Sequence, residues 1–130
     1  MNVVTIRALI IEDDLFINKL LQEALEAKAI DVRCCKNGAD AKNYLNEENF
    51  ELIITDILMP QVDGIEISKF IKNQSRNADA SILAISSGAH SIDRDLALRS
   101  AGLYADETLA KPFNKQKLYS KLSSMGLIAH

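Results

Sequence analysis

Ala8-Leu9-Ile10-Ile11-Glu12-Asp13-Asp14 is the stretch that decides the fold. Four consecutive apolar residues without polar alternation suit a strand buried on both faces, the kind found at the centre of a parallel sheet. Acidic residues follow at once. A second stretch repeats the pattern, Leu52-Ile53-Ile54-Thr55 ending in Asp56. Open α/β sheets bind ligands beyond the carboxyl ends of their strands. With the two strands as neighbours, Glu12, Asp13 and Asp56 crowd one small pocket. Carboxylates that close repel unless a proton or a cation joins them. A hard divalent ion such as Mg²⁺ is the simplest stable solution.

Outward from these runs, short apolar segments alternate with amphipathic ones. Residues 7–11 are the first strand. Asp14 is placed to cap a helix over residues 15–28, with Phe16, Leu20, Leu21, Ala24 and Leu25 as its apolar stripe. Residues 31–35 form a weakly apolar strand, expected nearer a sheet edge. Asn37-Gly38 opens a second helix through Tyr44 and Leu45. After the strand at residues 52–55 comes a loop with Met59-Pro60 and Asp63-Gly64. A helix carrying Ile65, Ile67, Phe70 and Ile71 follows. Residues 73–79 read as a polar connection and residues 81–85 as the fourth strand. Ser91 opens a helix carrying Ile92, Leu96 and Leu98, which Gly102 stops. Residues 108–110 are a short last strand, and residues 115–124 the last helix, with Leu118 and Leu122. This alternation predicts a parallel sheet with helices on both faces.

The 130 residues suffice for one domain with a proper core and are too few for two. Net charge is −3, and the 15 Lys and Arg form no basic run, so no nucleic-acid partner is expected. No apolar stretch is long enough for a membrane span. The first five residues lead straight into a strand, which argues against a signal peptide. The two cysteines, Cys34 and Cys35, are adjacent and on a strand point to opposite faces, so they read as small hydrophobes of a reduced, cytoplasmic protein. His90 and His130 have no partners at metal-ligand spacing.

The fourth strand ends at Ser86-Ser87-Gly88 and the fifth at Lys111-Pro112-Phe113. The central strand ends thus supply an acidic pair, an aspartate, a hydroxyl and an ammonium. That set suits phosphoryl transfer to a carboxylate. Mg²⁺ held by Asp13 and Asp56 neutralises phosphoryl oxygens, and Asp56 attacks phosphorus. Lys111 balances charge, and Ser86 donates a hydrogen bond to a phosphoryl oxygen. Singly, each residue has a plain structural use as a cap, a turn residue or a solvated lysine. Their joint placement carries the functional reading.

At these residues the chain resembles the receiver domain of two-component response regulators, over about residues 6–125. The resemblance rests on Glu12-Asp13, on Asp56-Ile57-Leu58-Met59-Pro60 with Asp63-Gly64, on Ser86, and on Lys111-Pro112-Phe113. It implies a flavodoxin-like doubly wound (βα)5 fold with a five-stranded parallel sheet in the order 2-1-3-4-5. It implies phosphotransfer from a histidine kinase or histidine phosphotransfer protein to Asp56. Asp13 then binds Mg²⁺ directly, Glu12 largely through water, and Leu58 through its backbone carbonyl. A cis Lys111–Pro112 bond and a switch region at Ser86 and Thr108 are implied as well. The family usually has Phe or Tyr where Thr108 stands, and Tyr104 is another source of a ring. On this reading the chain is a phosphoacceptor and not an enzyme, with self-phosphorylation and self-dephosphorylation chemistry only. It signals by binding a downstream protein that the sequence does not name, as a monomer or weak dimer. Two alternatives stay open: a phosphate-independent interaction module on the same fold, and a receiver domain cut from a longer regulator. A dehalogenase-type phosphatase needs a second aspartate where Leu58 stands, and a nucleotide switch needs a GxxxxGK[ST] loop after the first strand.

Overall fold

The computed structural model describes residues 5–56, 64–87 and 105–129. Five strands, β1 (Arg7–Ile11), β2 (Asp31–Cys35), β3 (Leu52–Asp56), β4 (Ser81–Ser87) and β5 (Glu107–Lys111), form one sheet in the order β2-β1-β3-β4-β5. Every neighbouring pair is parallel. The described helices are α1 (Leu15–Glu26), α2 (Gly38–Glu47), α3 (Gly64–Gln74) and α4 (Lys115–Ser124). This is the flavodoxin-like doubly wound architecture. The helix expected from Ser91 and the loop with Met59-Pro60 and Asp63 lie outside the described residues.

Successive strand side chains point to opposite faces, and two cores follow from that. On one face Ala8, Ile10, Leu52, Ile54, Leu83, Ile85 and Leu109 pack under α1 and α4 through Leu21, Leu25, Leu118 and Leu122. On the other, Leu9, Ile11, Ile53 and Ile82 pack under α2 and α3 through Ala41, Leu45, Ile67 and Ile71. Being buried on both sides is why the central strands read as unbroken apolar runs. β2, with its charged and half-buried residues, takes the edge next to β1.

The stripe expected on α1 needs one correction. Phe16 is 77% exposed and Leu15 65%. The buried residues are Asn18, Leu21, Ala24 and Leu25. At roughly 100° per residue, Phe16 lies nearly opposite the line through Asn18, Leu21 and Leu25. The helix also stops at Glu26, short of residue 28. Ala29 turns left-handed at φ 60, and the Ile30 amide donates back to the Leu25 carbonyl at 3.2 Å. A left-handed turn closes helices commonly, but usually with glycine, so an alanine gave no signal.

The connection after α3 holds a buried bracket. Asn77 Oδ1 accepts from the Phe50 amide at 2.6 Å, and Asn77 Nδ2 donates to the carbonyls of Leu45 and Glu48 at 2.9 Å each. One amide thus satisfies three backbone groups between α2 and β3. Truncation leaves them unpartnered in a buried place, at a cost per group of about 1–3 kcal/mol. Asn77→Ala is expected to lower stability by about 2–3 kcal/mol, measured by urea unfolding. A loss below about 0.5 kcal/mol would show that water replaces the amide.

Candidate functional site

The faces that build the cores also build the site. Ala8 and Ile10 of β1, Leu52 and Ile54 of β3, and Leu109 of β5 share the α1 and α4 side. Continuing the alternation by one step brings Glu12, Asp56 and Lys111 together at the carboxyl ends of the strands. Lys111 Nζ stands 2.6 Å from Glu12 Oε1 and 2.9 Å from Asp56 Oδ2. The contact with Asp56 is an aligned hydrogen bond. That with Glu12 is a close ion pair, and both Glu12 oxygens are buried without an aligned hydrogen bond. Glu12 is fully buried and Asp56 nearly so, while Asp13 is exposed at the rim.

The electrostatics follow from that crowding. Burial, with the Asp56 carboxylate close by, pushes the Glu12 carboxyl up to about 8 in spite of Lys111. Burial pulls the Lys111 ammonium down, but its contacts with Glu12 and Asp56 outweigh this and hold it above its usual value. One carboxylate oxygen from each of Glu12, Asp13 and Asp56 lies within 4.8 Å of the others. An all-oxygen, mostly buried donor set with unsatisfied atoms fits a hard divalent ion.

The turn that presents Glu12 and Asp13 is tightly tied. Asp14 caps α1, its side chain accepting from the amides of Phe16 and Ile17 at 2.9 and 3.1 Å. The Glu12 amide donates to the Cys35 carbonyl at 3.1 Å. Asn18, buried in the first turns of α1, donates from Nδ2 to the carbonyls of Glu12 at 2.9 Å and Cys35 at 3.2 Å. Sequence reasoning passed over Asn18. The available signal was an amide in register with Leu21 and Leu25 on the buried face of α1.

Of the other expected site residues, Ser86 is buried near the end of β4. It pairs with Ala110, one step beyond Ile85, the partner of Asp56. Thr108 is half-buried on β5 and pairs with Ala84. The Lys111–Pro112 bond is cis, as the resemblance implied. Leu58 and Tyr104 lie outside the described residues. Cys34 and Cys35 are free and pack into opposite cores. Burial pushes the Cys35 thiol up to about 12, and burial with Glu26 nearby raises Cys34. Neither is disposed to thiolate chemistry.

A doubly wound α/β domain with clustered carboxylates and a lysine at its strand ends defines a recognisable class. The sequence profile of the response regulator receiver domain matches residues 8–123, and the chain belongs to that family. It is 33% identical over 119 residues to the transcriptional regulatory protein CpxR homolog of Haemophilus influenzae, covering 92% of this chain and 49% of that protein. It superposes on the chemotaxis response regulator CheY4 of Vibrio cholerae with a TM-score of 0.81, at 25% identity, covering 93% of this chain and 98% of that one. It shares its fold with the receiver domain of sensor histidine kinase PA1611 from Pseudomonas aeruginosa PAO1, at TM-score 0.79 and 22% identity, covering 93% and 97% of the two chains. The crystal structure of that domain has a magnesium ion coordinated in the active-site cleft. The chain spans about half the length of the curated relatives it matches. Among the described residues no helix is long and apolar enough to cross a membrane.

Proposed function

We propose that this chain is a phosphoacceptor, in which Asp56 takes a phosphoryl group from a histidine kinase or histidine phosphotransfer protein. The observation that carries the reading is Lys111 Nζ lying between Glu12 and Asp56 at 2.6 and 2.9 Å. Membership of a family that works with histidine kinases and binds Mg²⁺ at an acidic cluster supports it. Asp13 and Asp56, with Glu12 and the Leu58 carbonyl that the resemblance adds, would hold a divalent ion, which would supply charge neutralisation for phosphoryl oxygens. A carboxylate oxygen of Asp56 attacks phosphorus. The new O–P bond forms as the N–P bond of the donor phosphohistidine breaks, and the imidazole leaves with the electron pair and takes up a proton. Lys111 turns part of its charge to the phosphoryl oxygens, and Ser86 donates a hydrogen bond to one of them.

The chain acts as one receiver unit and turns over no substrate besides its own aspartyl phosphate. Its output is phosphorylation-dependent binding of another protein. Incubation with acetyl phosphate and Mg²⁺ is expected to add one phosphoryl mass to the intact protein, and chelation of the metal to prevent it. A folded protein that gains no mass would favour the phosphate-independent interaction module.

A further inference from the structure

Asn18 touches no reacting group, yet it holds the peptide from which the acidic pair hangs. We propose that Asn18 is a positioning residue for divalent-cation binding, through its clamp on the Glu12 and Cys35 carbonyls; this rests on the metal reading above. The geometry is specific. Both polar groups of the Glu12 backbone are tied to the end of β2. Its amide donates to the Cys35 carbonyl directly, and its carbonyl is joined to the same carbonyl through Asn18 Nδ2. The Asn18 amide in turn donates to the Asp14 carbonyl at 2.9 Å, so the clamp is set by the first turn of α1. Asp13 is the residue between these two ties.

Asp13 is exposed and lacks the burial that fixes Glu12 and Asp56. Its backbone direction therefore depends on the peptide before it and the helix turn after it. Losing the clamp takes the Asn18 donor from the Glu12 carbonyl in a buried place and leaves the Cys35 carbonyl with the Glu12 amide. The turn then relaxes toward solvent or toward other donors, and the Asp13 carboxylate spreads over more positions. Mg²⁺ demands near-octahedral geometry and takes few protein carboxylates, so its affinity is sensitive to such spreading. Groups that orient metal ligands from behind typically matter by 10–100-fold in affinity.

The test is a titration of the metal-free protein with Mn²⁺, followed by water-proton relaxation, together with urea unfolding of each variant. Asn18→Ala is expected to weaken Mn²⁺ binding about tenfold. Should it not fold, Asn18→Ser carries the same expectation. Ala24→Gly is the comparison, on the same helix face but remote from the turn. Its helix-interior glycine costs about 1 kcal/mol and is expected to leave Mn²⁺ affinity unchanged. A general loosening of α1 would weaken both variants in proportion to stability and would overturn the proposal. Asn18 variants that match the wild type while Asp13→Ala loses Mn²⁺ binding would overturn it alone. Binding that is unaffected by Asp13→Ala would overturn the metal reading and this proposal together.

Discussion

Asp56→Asn is expected to abolish the phosphoryl mass gain from acetyl phosphate and Mg²⁺ while leaving the protein folded. Other carboxylates lie nearby, so the expectation must single out this one. Glu12 is fully buried, with its carboxyl raised to about 8, which leaves it a poor nucleophile at neutral pH. Asp13 and Asp14 are exposed, and Asp14 is occupied in capping α1. Among the described residues Asp56 alone combines a place at the end of a central strand with an aligned hydrogen bond from Lys111 at 2.9 Å. That bond holds its carboxylate beside the ammonium that balances the incoming phosphoryl charge. Asparagine preserves shape and keeps an acceptor for Lys111, but its amide oxygen is a far weaker nucleophile. Intact mass spectrometry after a fixed incubation reads the result. Undiminished label on Asp56→Asn would move the acceptor to another residue.

Most of the scaffold was legible because local pattern and tertiary role coincide. The runs Ala8–Ile11 and Leu52–Thr55 are apolar on both faces and lie between two helical layers. Residues 31–35 are mixed because β2 is an edge. The site was legible for a related reason. Glu12 follows one buried central strand, Asp56 ends another and Lys111 ends the half-buried edge strand, so element order and the two-residue period bring them to one end of the sheet. Phe16 departs from the expected stripe because apolar character does not decide burial on a helix, where phase sets this side chain outward. The end of α1 escaped because Ala29 takes a left-handed conformation without the usual glycine. Asn18 and Asn77 are the deeper omissions. Buried amides that bind backbone carbonyls are set by tertiary position, and in sequence they look like ordinary surface residues.

Glu12→Gln is expected to stabilise the metal-free protein, by an amount that grows with pH. Glu12 is fully buried, and its carboxyl is raised from 4.5 to about 8, chiefly by that burial and then by Asp56. A raised carboxyl means that the folded state holds a proton the unfolded chain releases. Its stabilising effect is complete below about 4.5, declines through the interval, and is lost once pH passes about 8. Glutamine is neutral throughout and removes this dependence. Lys111 is not stranded by the change, because Asp56 still accepts from it at 2.9 Å. Lys111 titrates above this window, since its own value is held above the usual 10.5. The stability difference between Glu12→Gln and wild type is therefore expected near zero at pH 4.5, rising to on the order of 2–4 kcal/mol at pH 8. Urea unfolding in the presence of a chelator, at half-unit steps across that range, measures it. Saturating Mg²⁺ should narrow the difference, since binding to the native state adds stability by mass action and only the wild type would offer it the Glu12 carboxylate. A flat difference across pH 4.5–8 would mean that Glu12 stays ionised in the fold, held so by Lys111 alone.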